Sequence, residues 1–203
     1  MKRQTVFIVD DDAVVCDSIQ ELVESVGLHA ECYTSGQAFL EHYQTERSGC
    51  LVLDVRMAEI SGLVLQERLN MMDATIPVII ITGHADVPMA VHALKAGAVD
   101  FVQKPYRNQL LLDSINNALT MDAMARHSRD ESQSHERQLA TLTRREQEVL
   151  DKLLAGSISR QIARELGIST RTVEAHRQNL LRKLGVGSVK ELMLHPIARE
   201  KHE

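Results

Sequence analysis

Cysteines and long apolar runs are scarce in this sequence of 203 residues. The three cysteines, Cys16, Cys32 and Cys50, are odd in number and spaced too widely for a metal knuckle, which argues against a disulfide framework and favours a reducing cytoplasm. The apolar runs, such as the one around residues 77–81, are far shorter than a membrane span of roughly 20 residues. No basic leader followed by an apolar core opens the chain. We therefore expect a soluble, cytoplasmic protein without a membrane partner.

Acidic and basic residues are divided unevenly along the chain. Up to Ala123 there are 8 basic and 17 acidic residues, and after it 15 basic and 11 acidic, so −9 and +4 make up the net charge of −5. A basic half is the candidate for binding a polyanion, and an acidic half for binding a cation or a basic partner. Because the length allows one or two domains, the charge split favours two domains with different tasks.

Short apolar runs alternate with longer amphipathic stretches from Thr5 to about Asn117. Unbroken apolar runs indicate strands that are buried on both faces of a parallel sheet. The five predicted strands are residues 6–9, 29–33, 50–54, 77–82 and 100–104. This α/β alternation predicts a flavodoxin-like, doubly wound five-stranded sheet of order 2-1-3-4-5 with right-handed crossovers.

The strands stop after Leu119, and the rest of the chain has a different pattern. Residues 120–140 are rich in charge, Ser, Gln and Ala without Pro or Gly, which favours a helical or partly disordered spacer. An all-helical pattern then follows, opened by a capping box of Thr143 and Glu146. The four predicted helices end near residues 154, 166, 184 and 194, before Gly156, Gly167, Gly185 and Pro196. We predict an α/β domain over 1–120, a helical linker over 121–140 and an all-α domain over 141–203.

Carboxylates, a lysine and a hydroxyl fall at the C-terminal ends of the predicted strands. Strands 1 and 3 are neighbours in the order 2-1-3-4-5, and their ends open at the switch point where ligands bind. Asp10 and Asp11 follow strand 1, Asp54 ends strand 3, and Thr82 and Lys104 end strands 4 and 5. Clustered carboxylates demand a counter-charge, which a hard divalent cation, Mg²⁺ (or Mn²⁺), supplies. This set is what an aspartate nucleophile needs to accept a phosphoryl group.

Four motifs, in this order and spacing, resemble the receiver domain of two-component response regulators over about residues 4–120: VDDD, LVLDVRM, ITG and FVQKP. The resemblance implies that Asp54 is the phospho-acceptor and that Lys104 contacts the phosphoryl oxygens. It also implies that Thr82 and Phe101 change position to report the event. The metal ligands that it implies are Asp10, Asp11, Asp54 and the backbone carbonyl of Arg56.

Three further residues near this site carry expectations of their own. Ala58 stands where the family has a proline after the methionine of the loop, which leaves the loop after Asp54 freer and bears on the lifetime of the phosphoryl group. Pro105 after Lys104 implies a cis peptide bond in this family. Asp12 is expected to face away from the site and to be spare.

The third predicted helix of the C-terminal part has two different faces at 100° per residue. Val173, Leu180, Leu181 and Leu184 fall on one side, while Arg171, Ala175, Gln178 and Arg182 fall opposite. The second face suits a DNA major groove, since Gln can bond adenine, Arg guanine, and Ala a thymine methyl group. Residues on the flanks suit phosphate contacts, namely His176, Arg177, Asn179 and Lys183.

The strings LTRREQEVL, QIARELGIS and TVEAHRQNLLRKL resemble the LuxR/NarL-type four-helix DNA-binding domain over residues 141–195. The resemblance implies a helix-turn-helix whose third helix recognises DNA, with Glu174, Ala175 and Gln178 at the bases and the fourth helix as a dimerisation surface. Ser159 and Arg160 stand where the family commonly has Asn and Lys. Glu174 either accepts from a cytosine amino group or repels phosphate. The predicted DNA-binding set is Arg171, Thr172, Glu174, Ala175, His176, Arg177, Gln178 and Lys183.

Both domains together, with the run TGHADVPMAVHALKAGAVDF, resemble the FixJ subgroup of response regulators. The resemblance implies a transcription regulator that receives a phosphoryl group from a histidine kinase and dimerises through helix 4 and strand 5. It would bind a two-fold promoter operator and act with RNA polymerase, as an activator. Such a protein assists its own phosphoryl transfer and dephosphorylation but is not a conventional enzyme. We also expect the unphosphorylated receiver to restrain the DNA-binding domain.

Two alternatives belong to other functional classes. An aspartyl-phosphate phosphatase of doubly wound fold usually places its nucleophile on the first strand and has a substrate cap, whereas the key Asp54 here is on strand 3 with no cap insertion. A phosphate-independent DNA-binding scaffold would use the receiver only for dimerisation. Phosphorylation of Asp54 separates both from a response regulator.

Overall fold

The computed structural model describes residues 4–195 and forms two compact units, with the boundary between Arg126 and His127. Residues 1–3 and 196–203, including the predicted helix stop at Pro196, lie outside the described part. Within the described part, no helix is long and apolar enough to cross a membrane.

The first unit alternates strands and helices in the predicted order. Its strands are β1 (Thr5–Val9), β2 (His29–Tyr33), β3 (Gly49–Asp54), β4 (Val78–Thr82) and β5 (Asp100–Gln103). Its helices are α1 (Ala13–Ser25), α2 (Gly36–His42), α3 (Gly62–Met71), α4 (Val87–Lys95) and the part of α5 (Asn108–Ala140) that precedes the boundary. The strands pair in parallel in the order β2-β1-β3-β4-β5, which confirms the predicted sheet, and their ends differ from the predicted ones by one residue at most.

The central strands are buried on both faces, which explains their continuous apolar sequence. Successive side chains of β1 point to opposite faces: Val6 and Ile8 pack with α1 and α5, whereas Phe7 and Val9 pack with α2 and α3. β3 and β4 are buried along their whole length in the same way. Two apolar layers therefore hold the sheet in place and fix which residues lie at its carboxyl edge.

A buried carboxylate near the end of the first unit ties α5 to the start of β3. Asp122 is 2% exposed, and its Oδ2 accepts hydrogen bonds from the hydroxyl of Ser48 at 2.6 Å and from the amide of Gly49 at 2.9 Å. The guanidinium of Arg126 donates to the same carboxylate at 2.8 Å and to the carbonyl oxygens of Thr45 and Arg47 at 3.0 and 2.6 Å. Because every one of these groups has a partner, this ion pair anchors α5 up to the unit boundary.

The second unit contains the described helices α6 (Arg144–Leu154), α7 (Ser159–Leu166), α8 (Thr170–Lys183) and α9 (Val189–Leu194), together with the end of α5. The predicted capping box is present, since Thr143 and Glu146 bond each other's backbone at the start of α6. Three glycines at the helix ends adopt positive φ angles that L side chains rarely adopt, at Gly156, Gly167 and Gly185. These signals explain why the predicted helices agree with the observed ones, and the spacer before them is helical as part of α5.

Candidate functional site

A lysine ammonium joins two buried carboxylates at the carboxyl edge of the sheet. Nζ of Lys104 lies 2.7 Å from Oδ2 of Asp10 and 2.8 Å from Oδ1 of Asp54. Asp10 and Asp54 are 2% and 5% exposed and follow the paired residues Val9 and Leu53 of β1 and β3. The other oxygen of Asp54 accepts from the amide of Arg56 at 2.6 Å. The sheet register therefore brings together three of the residues that the sequence analysis selected.

Burial and charge act in opposite directions on this cluster. Burial raises the pKa of Asp54, and the hydrogen bond and positive charge of Lys104 oppose that rise without cancelling it. Burial by itself would lower the pKa of Lys104, but the bonds to Asp10 and Asp54 outweigh it and raise that pKa. Lys104 thus stays charged at neutral pH, next to a carboxylate with little exposure to water.

Asp11 and Asp12 point to different backbone amides. Asp11 is exposed, and its Oδ2 accepts from the amide of Ala58 at 2.9 Å. A proline at position 58 could not make this bond, because proline has no N–H group. Asp12 is the N-cap of α1, accepting from the amide of Val14 at 2.9 Å, so it has a structural role where the sequence analysis gave it none.

The implied metal ligands are close in the fold but are not gathered around one point. Among residues 4–195, no three Asp, Glu, His or Cys side chains are placed to hold a metal ion. Lys104 already neutralises Asp10 and Asp54, while Asp11 is bonded to Ala58. The donors themselves are carboxylate oxygens, which suit a hard divalent cation, so the set fits Mg²⁺ in chemistry.

The two predicted switch residues lie on β4, which is the neighbour of β3, and on β5, the next strand beyond it. Thr82 ends β4 and is fully buried; its hydroxyl oxygen accepts from the amide of His84 at 3.3 Å, and its carbonyl oxygen accepts from the amide of Lys104 at 2.8 Å. Phe101 on β5 is half-buried and packs against the apolar layer that includes Ala93 of α4. The Lys104–Pro105 peptide bond is cis, as the resemblance implies. Lys104 is therefore joined to Thr82 through the backbone.

In the second unit, α8 has the two faces that its sequence predicts. Val173, Leu180 and Leu184 are buried, and Leu181 is half-buried against the same core. The opposite side chains are exposed, namely Arg171, Ala175, Gln178 and Arg182. α7 ends at Gly167 in the left-handed conformation, and Ser169 then caps α8. This is a helix-turn-helix with an exposed polar face on its second helix.

Comparison with known proteins supports both units. The family description "Response regulator receiver domain" matches residues 6–116, and "Bacterial regulatory proteins, luxR family" matches residues 140–195. The transcriptional regulatory protein TdiR of Thauera aromatica is 47% identical over 93% of this chain and 83% of its own length. The chain belongs to the response regulators. FixJ of Rhizobium meliloti is 39% identical over 98% of this chain and 97% of its own.

A solved structure of the response regulator StyR covers 98% of this chain and 99% of its own, with 43% identity and a TM-score of 0.91. Family membership makes this response regulator a transcriptional regulator rather than a conventional enzyme. A receiver domain implies a histidine kinase as partner, and a LuxR-type domain implies DNA binding. Family membership by itself leaves open which side chains make these contacts.

Hydrogen bonds inside the second unit engage three charged residues of this response regulator's predicted DNA-binding set: Lys183, Glu174 and Arg177. Nζ of Lys183 donates to Oε2 of the buried Glu146 at 2.6 Å and to the carbonyl oxygen of Thr141 at 3.0 Å. Burial raises the pKa of Glu146, but the bonds from Lys183 and Thr143 outweigh that effect and lower the pKa overall. A phosphate contact by Lys183 has to compete with this ion pair. Glu174, the second such residue, is bonded to Ser159.

Two contacts at these sites had no clear signal in the sequence. The bond between Asp11 and Ala58 depends on a backbone amide, and the bond between Ser159 and Glu174 joins two helices. The remaining predicted DNA-binding residues lie on or beside the exposed face of α8. Four of them are exposed, namely Arg171, Thr172, Ala175 and Gln178, whereas His176 and Arg177 are half-buried. The only signals in the sequence for the Asp11 and Glu174 contacts are the two departures from the family pattern, Ala58 and Ser159.

Replacing Asp54 by asparagine is expected to stabilise the first unit at neutral pH. Because burial raises the pKa of Asp54 above its ordinary 3.8, the folded state binds this proton more tightly than the unfolded state does. The ionised carboxylate therefore destabilises the fold above its raised pKa, and this cost disappears as the pH falls below 3.8. Asp54→Asn should raise the free energy of unfolding by about 1 kcal/mol at pH 7, with a gain that shrinks towards pH 4.

Urea unfolding of the full chain in EDTA, followed by tyrosine fluorescence, measures this gain. All three tyrosines lie in the first unit and the sequence has no tryptophan, so the signal reports that unit alone. Asp12→Asn is the matched control, since an asparagine also caps a helix and should change little. A destabilised Asp54→Asn protein, or a gain that does not depend on pH, would contradict the role given to burial.

Proposed function

We propose that this response regulator is phosphorylated on Asp54 by a partner histidine kinase, dimerises, and binds a two-fold promoter operator to activate transcription with RNA polymerase. The observation that carries the proposal is the ammonium of Lys104 between Asp10 and Asp54. This arrangement places the buried carboxylate of Asp54 at the open edge of the sheet, with the ammonium group of Lys104 beside it. The three cysteines are free thiols, which suits a reducing cytoplasm.

In the proposed transfer, a carboxylate oxygen of Asp54 attacks the phosphorus of the phosphohistidine. The new O–P bond makes an acyl phosphate as the N–P bond breaks, and the imidazole leaves with the electron pair. Lys104 then neutralises phosphoryl oxygens, for which its short bonds to Asp10 and Asp54 place it. The amide of Arg56, which donates to Oδ2 of Asp54 in this structure, is a further donor beside the phosphoryl group.

Mg²⁺ or Mn²⁺ would be held by the side chains of Asp10, Asp11 and Asp54 and the backbone carbonyl of Arg56. When bound, the ion adds positive charge for the equatorial oxygens of the phosphoryl group. The chain contributes the pairing of Asp10 with Asp54 and the exposed position of Asp11. Because Oδ2 of Asp11 is bonded to the amide of Ala58, coordination through that oxygen would have to compete with this bond.

The conformational effect of phosphorylation on the rest of the receiver would involve Thr82 and Phe101. A phosphoryl group that draws Lys104 to itself changes the partner of Asp10, and the amide of Lys104 is bonded to Thr82. Displacement of the Thr82 hydroxyl from the His84 amide would open room for Phe101 to change its rotamer. A local change of charge thus biases an element with two arrangements.

Exposed apolar residues on α4 support dimerisation through α4 and β5. Val87, Val91 and Leu94 are 76%, 44% and 49% exposed, although side chains of this kind are usually buried. On α9, Met193 and Leu194 are 38% and 70% exposed, which supports a second contact between DNA-binding domains. Both surfaces suit an isologous pair on a two-fold operator.

Acetyl phosphate with Mg²⁺ is expected to add a single phosphoryl group to the wild-type protein, seen by intact mass. Asp54→Asn should abolish the addition, and the modified wild type should dimerise where the variant does not. Asp12→Asn, which keeps its helix-capping function, serves as the control that remains phosphorylated. Dimerisation and promoter binding by Asp54→Asn equal to those of the phosphorylated protein would favour a phosphate-independent scaffold.

Ala58→Pro is expected to increase the affinity for Mg²⁺ by about threefold to tenfold, because it removes the amide that competes for Asp11. Isothermal titration calorimetry of the full chain measures the change. Ala58→Gly keeps the amide and should bind as the wild type does. The gain should vanish in an Asp11→Asn background; a gain that persists there would arise from the loop and not from Asp11.

Gln178→Ala should weaken specific DNA binding by about 1–3 kcal/mol and relax the preference at one base pair, since Gln178 is exposed on the predicted base-reading face. Arg177→Ala, on the flank assigned to phosphate contacts, should weaken binding to all sequences alike and reduce the slope of log affinity against log salt concentration by about 1. Fluorescence anisotropy on selected and mixed-sequence duplexes distinguishes the two effects. Lys190→Ala on α9 is the charge control. If Gln178→Ala lost the same binding free energy on both duplexes, Gln178 would not be a base-reading residue.

A further inference from the structure

The carboxylate of Glu174 is already hydrogen-bonded inside the second unit. Its Oε1 accepts from the hydroxyl of Ser159 at 2.6 Å, and Nη1 of Arg177 lies 3.3 Å from the same oxygen and 3.5 Å from Oε2. Ser159 is the first residue of α7, while Glu174 and Arg177 lie one turn apart on α8. One carboxylate therefore joins the beginning of α7, the middle of α8 and a guanidinium.

These bonds bear on the two roles that the sequence left open for Glu174. A base reader must offer a free oxygen to a cytosine amino group, but here Oε1 is bonded to Ser159 at 2.6 Å, and Oε2 lies 3.5 Å from the guanidinium of Arg177. A repelling anion must carry uncompensated charge, but Arg177 is paired with it. The 2.6 Å distance to Ser159 is that of a charge-assisted hydrogen bond, which is roughly twice as strong as a neutral one.

We propose that Glu174 is a positioning residue of the DNA interface, which holds Arg177 and the first turn of α7 in place through Ser159 and reads no base itself. The inference rests on the proposed DNA binding. In a helix-turn-helix the first helix crosses the phosphate backbone while the second enters the groove, so their relative placement decides whether both reach DNA. Ser159 stands where the family commonly has Asn, and in this chain its hydroxyl is the donor to Glu174.

The experiment measures binding by the full-length protein treated with acetyl phosphate and Mg²⁺. A pool of duplexes with a randomised central segment gives the base preference, and anisotropy on the enriched duplex and on a mixed-sequence duplex gives affinities. The variants are Ser159→Ala, Glu174→Ala, their double variant and Glu174→Gln. Ser157→Ala is the matched control, because Ser157 lies two residues before Ser159 and its hydroxyl makes no hydrogen bond among residues 4–195.

We expect Ser159→Ala and Glu174→Ala each to weaken binding to both duplexes by about tenfold, the size of one hydrogen bond to a charged group. The double variant should be no weaker than Glu174→Ala alone, since Ser159 acts through Glu174. Glu174→Gln keeps an acceptor for Ser159 and should retain most of the affinity. The enriched sequence should be the same for every variant, and Ser157→Ala should match the wild type.

Two results would overturn the inference while leaving the proposed function intact. A changed preference at one base pair in Glu174→Ala or Glu174→Gln, with an unchanged preference in Ser159→Ala, would make Glu174 a base reader. Additive losses in the double variant would make Ser159 and Glu174 independent. If the phosphorylated wild type enriches no sequence at all, the proposed function fails and this inference fails with it. Circular dichroism of each variant verifies that a loss of binding is not a loss of helix.

Discussion

Two carboxylates held by one ammonium are the constraint on which the receiver site depends. Asp10 and Asp54 follow or end neighbouring strands and are almost fully buried, and the ammonium of Lys104 lies within hydrogen-bonding distance of both. Lys104 reaches them only because β5 lies two strands from β3 across β4, whose last residue, Thr82, bonds its amide. One chain of hydrogen bonds therefore joins Asp54, Lys104 and the backbone at the end of β4.

Single substitutions relative to the family pattern alter both functional sites through hydrogen bonds rather than through packing. Ala58 provides an amide that a proline lacks, and that amide takes up Asp11. Ser159 provides a hydroxyl that takes up Glu174. In each case a carboxylate that family resemblance assigns to a ligand is engaged by the protein itself. Internal hydrogen bonds thus engage carboxylates of both predicted sites in this structure.

Near the end of the first unit, the buried carboxylate of Asp122 is likewise engaged by another side chain of the protein, the guanidinium of Arg126. Asp122 is buried on α5, and Arg126 donates to it and to two carbonyl oxygens of the segment before β3. An unpaired carboxylate at this place would be costly, so the two residues stabilise the fold only as a pair. They fix the part of α5 that belongs to the receiver and leave its continuation, residues 127–140, to the second unit.

The sequence by itself determined the five-strand order, the helices of the second unit and the residue types at the carboxyl edge, because these follow from local periodicity, helix caps and strand ends. It selected Asp10, Asp54 and Lys104, which the fold brings together. Only the tertiary structure decided which donor each carboxylate meets. Asp11 on Ala58, Glu174 on Ser159 and Lys183 on Glu146 are contacts between distant segments, and their geometry depends on how whole elements pack.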